Sequence, residues 1–220
     1  MGVASKAVVI AVATVVSLSG CAVEGTPTWP GARLNATLPT AEDFPPGVRF
    51  DRVVEQPGTP DGADRPPAME SEPEGCADGL TKDIAASVDR GPGSSAKYNV
   101  SYDGARIVMT VLVAALDLRR LEATAARCEL YVTYFDKASE PILMTTTRME
   151  SSRAQSLTYQ QTMQLQGEES SVYFTFENVG EWGMFGIAFP TPDSTISVKG
   201  SLPQTFLDVT AKQAERLRQP

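Results

Sequence analysis

The chain is predicted to fold as one α+β domain: an antiparallel β-sheet with helices packed on one face, held by a single disulfide. Three observations predict it. A hairpin at Tyr98 to Val113 and short alternating segments from Glu129 to Lys199 follow one another with short turns between their strands, and such connections pair strands antiparallel. Three other stretches, near Leu80, Leu118 and Phe206, space their apolar residues as helices do. Two cysteines, Cys76 and Cys128, lie in the part of the chain that carries these patterns. With 220 residues, 42% apolar and 21% charged, the chain has the length and composition of a globular domain with a real core.

Taken in order, Met1 to Cys21 has three parts. A short start carries Lys6, the only charged side chain before Cys21. Ala7 to Val16 is apolar except for Thr14, and Leu18-Ser19-Gly20-Cys21 follows. A bilayer-spanning helix needs about 20 apolar residues. This run is half that and suits the core of a signal peptide. Leu18 to Cys21 resembles the lipobox of bacterial lipoproteins. The resemblance implies cleavage before Cys21, acylation of its sulfur, and residence on the outer face of the cytoplasmic membrane. An ordinary secretory signal with a chance cysteine is the alternative. Residues 1–20 are thus read as signal peptide and 21–37 as lipidated cysteine and tether, rich in Thr and Pro with little to bury. Fully extended, the tether reaches at most about 55 Å.

Residues 38–220 are read as the domain. Ten of the sixteen prolines lie between Cys21 and Cys76, which excludes long helices and central strands there. Leu38 to Val54 still holds enough apolar residues to be ordered, and Glu55 to Glu74 reads as a long exposed loop. Cys76 to Val88 reads as a helix, with Leu80, Ile84 and Val88 on one face, ended by Gly91-Pro92-Gly93. The Tyr98–Tyr102 strand, Asp103-Gly104 and the returning Ile107–Val113 strand form a hairpin. Asp117 to Arg127 reads as a helix. Strands are expected at Glu129–Phe135, Ile142–Met149, Leu157–Leu165, Val172–Phe176, Trp182–Phe189 and Thr195–Lys199, with a turn at Gly167-Glu168-Glu169. A last helix spans Pro203 to Arg218, its apolar face formed by Phe206, Val209 or Thr210, Gln213 or Ala214, and Leu217.

Outside the membrane Cys76 and Cys128 are expected to pair. The bridge would close a loop of about 53 residues and contribute about 4 kcal/mol in the chain-entropy account. Two buried free thiols are the alternative.

The chemistry is bounded mainly by what is missing. There is no histidine, which removes Ser-His-Asp and Cys-His catalysis and histidine-based metal sites. A net charge of −8 disfavours nucleic acid as a partner and leaves membrane attachment to the lipid anchor. Ser94-Ser95-Ala96-Lys97 matches a Ser-x-x-Lys nucleophile motif, and Lys199-Gly200-Ser201 resembles its companion. In a strand, however, positions three apart face opposite sides. Glu168, Glu169, Glu177 and Glu181 are read as solvated turn acids and not as a glycosidase carboxylate pair. No cofactor, no metal site and no enzyme activity are expected. Twelve aromatic residues fall on expected strands; about half must pack the core, and the rest either do the same or line a cleft. Tyr98, Tyr102, Tyr159, Tyr173 and Trp182 are the ligand-binding candidates among them.

Leu38-Pro39 leading into Asp43-Phe44-Pro45-Pro46-Gly47, the stretch to Pro73-Glu74-Gly75-Cys76, the Tyr98–Tyr102 strand and Cys128 resemble mycobacterial envelope lipoproteins related to the PknH-type extracellular sensor domain. That resemblance implies an antiparallel sheet with helices around a cleft and a role in ligand or envelope sensing. It implies no catalytic residues, and the single possible bridge departs from the two disulfides of that family. The expected function is a lipid-anchored, non-enzymatic protein that binds an envelope ligand (small molecule, glycan or lipid) or a membrane-protein partner. A carrier of a hydrophobic ligand is the alternative, and a hydrolase comes last.

Overall fold

The computed structural model describes residues 31–53, 69–87, 91, 93–136, 138–151 and 153–219. Cys21, the signal segment, most of the tether and much of the Glu55–Glu74 loop lie outside them. In chain order the elements are α1 (Ala32–Ala36), a 3-10 turn (Ala41–Asp43), β1 (Arg49–Val53), β2 (Glu70–Glu72), α2 (Gly79–Ser87), β3 (Ser95–Tyr102), β4 (Ala105–Leu112), α3 (Leu118–Arg127), β5 (Leu130–Tyr134), β6 (Ile142–Met149), β7 (Leu157–Leu165), β8 (Glu168–Val179), β9 (Trp182–Phe189) and α4 (Gln204–Arg218).

The strands form one nine-stranded antiparallel sheet in the order β1-β3-β4-β9-β8-β7-β6-β5-β2. The expected α+β class, the antiparallel sheet and the single cysteine pair are all present. Two turns show why particular residues are required. Tyr102 pairs with Ala105 across Asp103-Gly104, and Gly104 has φ 98°. A Cβ there would sit 2.7 Å from the Gly200 carbonyl oxygen. Between β7 and β8, Gln166 (φ 54°) and Gly167 (φ 85°) are both left-handed, as a two-residue hairpin turn demands. The turn is therefore at Gln166-Gly167 and not at Gly167-Glu168-Glu169; Glu168 and Glu169 already pair with Leu165 and Gln164.

Helices occupy both faces of the sheet, each pair over a different half. On one face, Tyr98, Val100, Ile107, Met109, Val111, Met184 and Ala188 pack under Phe206, Val209, Ala214 and Leu217 of α4, joined by Leu34 of α1, Leu38 and Phe44. On the reverse face, Leu112, Leu157, Tyr159 and Phe176 pack against Leu80 and Ile84 of α2 and Leu121 and Ala125 of α3. Neighbours such as Val111 and Leu112 therefore serve different cores, because successive strand residues point to opposite faces. One face was expected to carry the helices. The second pair goes to the reverse because β4 and β8 are apolar there as well, and β7 is apolar only there.

α3 is capped by the Asp117 side chain, which accepts from the Arg120 amide at 3.1 Å. The sulfurs of Cys76 and Cys128 are 2.09 Å apart, joining the chain just before α2 to the end of α3 beneath Tyr131 and Met144. Buried Asp83 of α2 holds the two helices together: Arg120 Nε donates to it at 2.6 Å and Thr124 Oγ1 at 2.5 Å.

Three further expectations change. The folded part begins before Leu38: Gly31 to Ala36 includes helix α1, and Leu34 within it is fully buried. One apolar side chain in a Thr/Pro stretch was enough to dock it. Thr195–Lys199 is not a strand; Lys199 alone makes a bridge, to Asp103, and Asp193 shapes the loop by accepting from the Thr195 amide and hydroxyl. Glu70–Glu72, expected in a loop, adds an edge strand beside β5. β1 and β2, consecutive in the chain, thus sit at opposite edges.

Candidate functional site

Four of the five aromatic candidates belong to one packed core, and Tyr159 lies apart on the reverse face. Tyr98, Tyr102 and Tyr173 are buried in the core beneath α4. Trp182 is half-buried at the border of that core, with the Arg33 guanidinium 5.4 Å from its ring centroid. Tyr159 lies on the reverse face against Phe176, under Arg148, which donates to its hydroxyl at 3.1 Å. Burial raises the Tyr98 and Tyr159 phenols above their usual range and lifts Tyr131 to about 12, against the hydrogen bond that Gln161 donates to it. Among the described residues the buried Tyr98 hydroxyl, on β3, and Gln213 Oε1, on α4, meet no hydrogen-bond partner.

The acidic candidates also separate. Glu181 is exposed at the β8–β9 turn and pairs with Arg33 at 3.1 Å. Glu168 and Glu169 are exposed at the opposite end of β8. Glu177 departs from the expected solvated acid: it is buried on the α4 side of β8, where Arg153 Nε donates to Oε2 at 2.7 Å and Arg153 Nη2 contacts Oε1. Arg218, in the last turn of α4, approaches the same carboxylate at 4.0 Å. Nothing local marked this pair, since Arg153 stands in the β6–β7 loop 24 residues earlier. Ser94 precedes β3 and Lys97 lies within it, so the Ser-x-x-Lys match falls across an extended strand and not on a helical turn. Lys199 bridges Asp103 beyond the far end of β3.

Two recesses mark the surface. The first, about 360 Å³ and open, lies between the 3-10 turn and α4 and is lined by Asp43, Lys212, Glu215, Arg216 and Gln219. Arg216 donates to Asp43 Oδ2 at 2.5 Å, Lys212 donates to the Asp43 carbonyl at 2.5 Å, and the Lys212 ammonium stands 5.7 Å from the Phe44 ring centroid. Partial burial opposes the Asp43 charge, but the Thr40 amide and Arg216 outweigh it and hold the carboxyl below its ordinary value. The second recess, about 320 Å³, opens beside the β7–β8 hairpin between Met163, Leu165, Gln166, Glu168, Glu169 and Ser170.

A further open surface is a sheet face. Among the described residues α4 packs mainly on β4, β9 and β8. On that same side the register sets Thr145, Thr162 and Ser171 in one row and Thr147 beside Gln160 in the next. These side chains are half-buried or exposed and uncharged.

No family model and no curated protein matches the chain. Among solved structures, an uncharacterised protein from Mycobacterium smegmatis, the Rv0999 ortholog, is a distant structural neighbour: 12% identity, a TM-score of 0.46, covering 81% of this chain and 93% of that one.

Proposed function

We propose that this chain is a lipid-anchored, non-enzymatic binding module on the outer face of the cytoplasmic membrane, related to the PknH-type sensor domains. It engages an envelope ligand or a membrane-protein neighbour. The anchor part of the reading comes from the Leu18–Cys21 motif behind its short apolar run. The binding part is supported by one structural observation. The space between sheet and helices is filled by side chains such as Phe206, Met184 and Phe176, whereas the recess beside Asp43 and the Thr145–Thr162–Ser171 row of the β6–β8 half-face are open and largely polar. Open polar surface suits recognition of a polar partner; a carrier needs an interior apolar space.

Native mass spectrometry of the protein released gently from membranes tests this. The expected result is an acylated Cys21, oxidised Cys76 and Cys128, and a co-purifying polar ligand or partner. A mature protein without lipid, or one loaded with an acyl lipid inside the domain, contradicts it.

A further inference from the structure

We infer that the uncovered half-face of β6, β7 and β8 binds a neutral, hydroxyl-rich glycan chain. This rests on the binding-module reading and names the ligand class.

The geometry comes first. Strands lie about 4.8 Å apart, so the row Leu130–Thr145–Thr162–Ser171, running across β5 to β8, is about 14 Å long. The next row sets Thr147 beside Gln160, and Leu143 and Gln164 follow on the other side. A row of this length accepts a short stretch of an extended chain lying across the strands.

The chemistry narrows the occupant. The chain is 21% charged with a net charge of −8, yet Thr145, Thr147, Gln160, Thr162 and Ser171 bear no charge. The nearest acid in this register, Glu169, lies at the rim and accepts from Gln164 at 2.7 Å. An anionic ligand would lose hydration here and find no counter-charge. An apolar partner would strip water from hydroxyls and amides without replacing their hydrogen bonds. A polyol does replace them, because hydroxyls both donate and accept, as do Thr, Ser and Gln side chains.

The polar groups are also preset. Gln160 Nε2 donates to Ser171 Oγ at 2.9 Å, and the Thr162 and Ser171 hydroxyls are 2.9 Å apart. Gln160 Nε2 also donates to Thr162 Oγ1 at 3.4 Å; together these bonds fix the rotamers and reduce the entropy lost on binding, while Gln160 Oε1 keeps acceptor capacity for a ligand. Beside them Leu130 is 62% exposed and Leu143 37% exposed. They offer an apolar strip to the C–H face of a sugar ring.

The test is calorimetric titration of the full lipidated protein in neutral detergent with a neutral glucan oligosaccharide and a neutral galactan oligosaccharide, with polyglutamate as the charged comparison. Binding to at least one neutral glycan and none to polyglutamate is expected. Thr162→Glu and the more exposed Thr147→Glu should each weaken it about tenfold or more, with circular dichroism showing both variants folded. Ser194→Glu, in the exposed loop after β9, should leave it unchanged. Failure of the wild type to bind either glycan overturns the inference, as does binding that neither Thr substitution weakens. So does a dimer that Thr147→Glu dissolves, which would make the face a self-association surface. If the glycans fail while native mass spectrometry finds another polar ligand, the ligand class is wrong and the binding-module reading survives.

Discussion

Arg153 closes over Glu177 so that both carboxylate oxygens are engaged, in a place where the Glu177 side chain is only 3% and the Arg153 side chain 14% exposed. The pair ties the β6–β7 loop to β8 beside the C-terminal turn of α4. Removing one partner of a buried pair leaves the other charge uncompensated, which costs about 3–5 kcal/mol. Glu177→Gln should lower stability by about that amount in urea unfolding. Arg153→Met combined with Glu177→Leu should recover most of the loss, since an apolar pair of similar size carries no desolvation cost. Equal stability of Glu177→Gln and wild type would show that the pair is solvated.

The Cys76–Cys128 bridge spans 52 positions of sequence and anchors the start of the α2–α3 layer. Replacing both cysteines with serine should cost about 4 kcal/mol, read as a lower unfolding midpoint. A midpoint unchanged between the variant and the untreated protein would mean the cysteines are not joined.

Asp43 predicts an acid-side dependence. Its carboxyl is held below the ordinary value near 3.9, so the unfolded chain takes up the proton first as pH falls. The stabilisation is complete above about pH 5 and is lost as pH drops through the lowered folded value. Asp43→Asn should flatten the fall in stability below about pH 4.5 and leave its slope near neutrality unchanged. Parallel curves for wild type and variant throughout would remove Asp43 from the account.

Helix α1 carries a third stability test. Leu34 is fully buried under the α4 core. Leu34→Ala should cost about 2–5 kcal/mol, as truncation in a packed core does. A loss below about 0.5 kcal/mol is what a solvated tether residue would give.

Much of the fold is legible because it is local. Asp103-Gly104 between two alternating runs marks a hairpin, and Leu157 to Leu165 alternates as a strand with one face inward. Phe206, Val209, Thr210, Gln213, Ala214 and Leu217 form the buried stripe of α4, including both members of each pair left open by periodicity. What was not legible depends on partners distant in sequence. β2 exists because β5 offers it an edge, and α1 because α4 and β3 offer Leu34 a place. The reverse-face helices follow from apolar residues on both sides of β4 and β8 and on the reverse side of β7, which alternation with threonines disguises. The candidate site was less legible still. The aromatic candidates were chosen for residue type and most proved to be core. The open half-face is made of threonines, glutamines and a serine, which carry no signal until the register aligns them.

Metabolic labelling with a fatty-acid probe tests most directly the proposed lipid on Cys21 that would place this domain against a membrane. Wild-type protein should incorporate the probe and partition with membranes, and Cys21→Ala should do neither. Wild type as dark as Cys21→Ala would contradict the account.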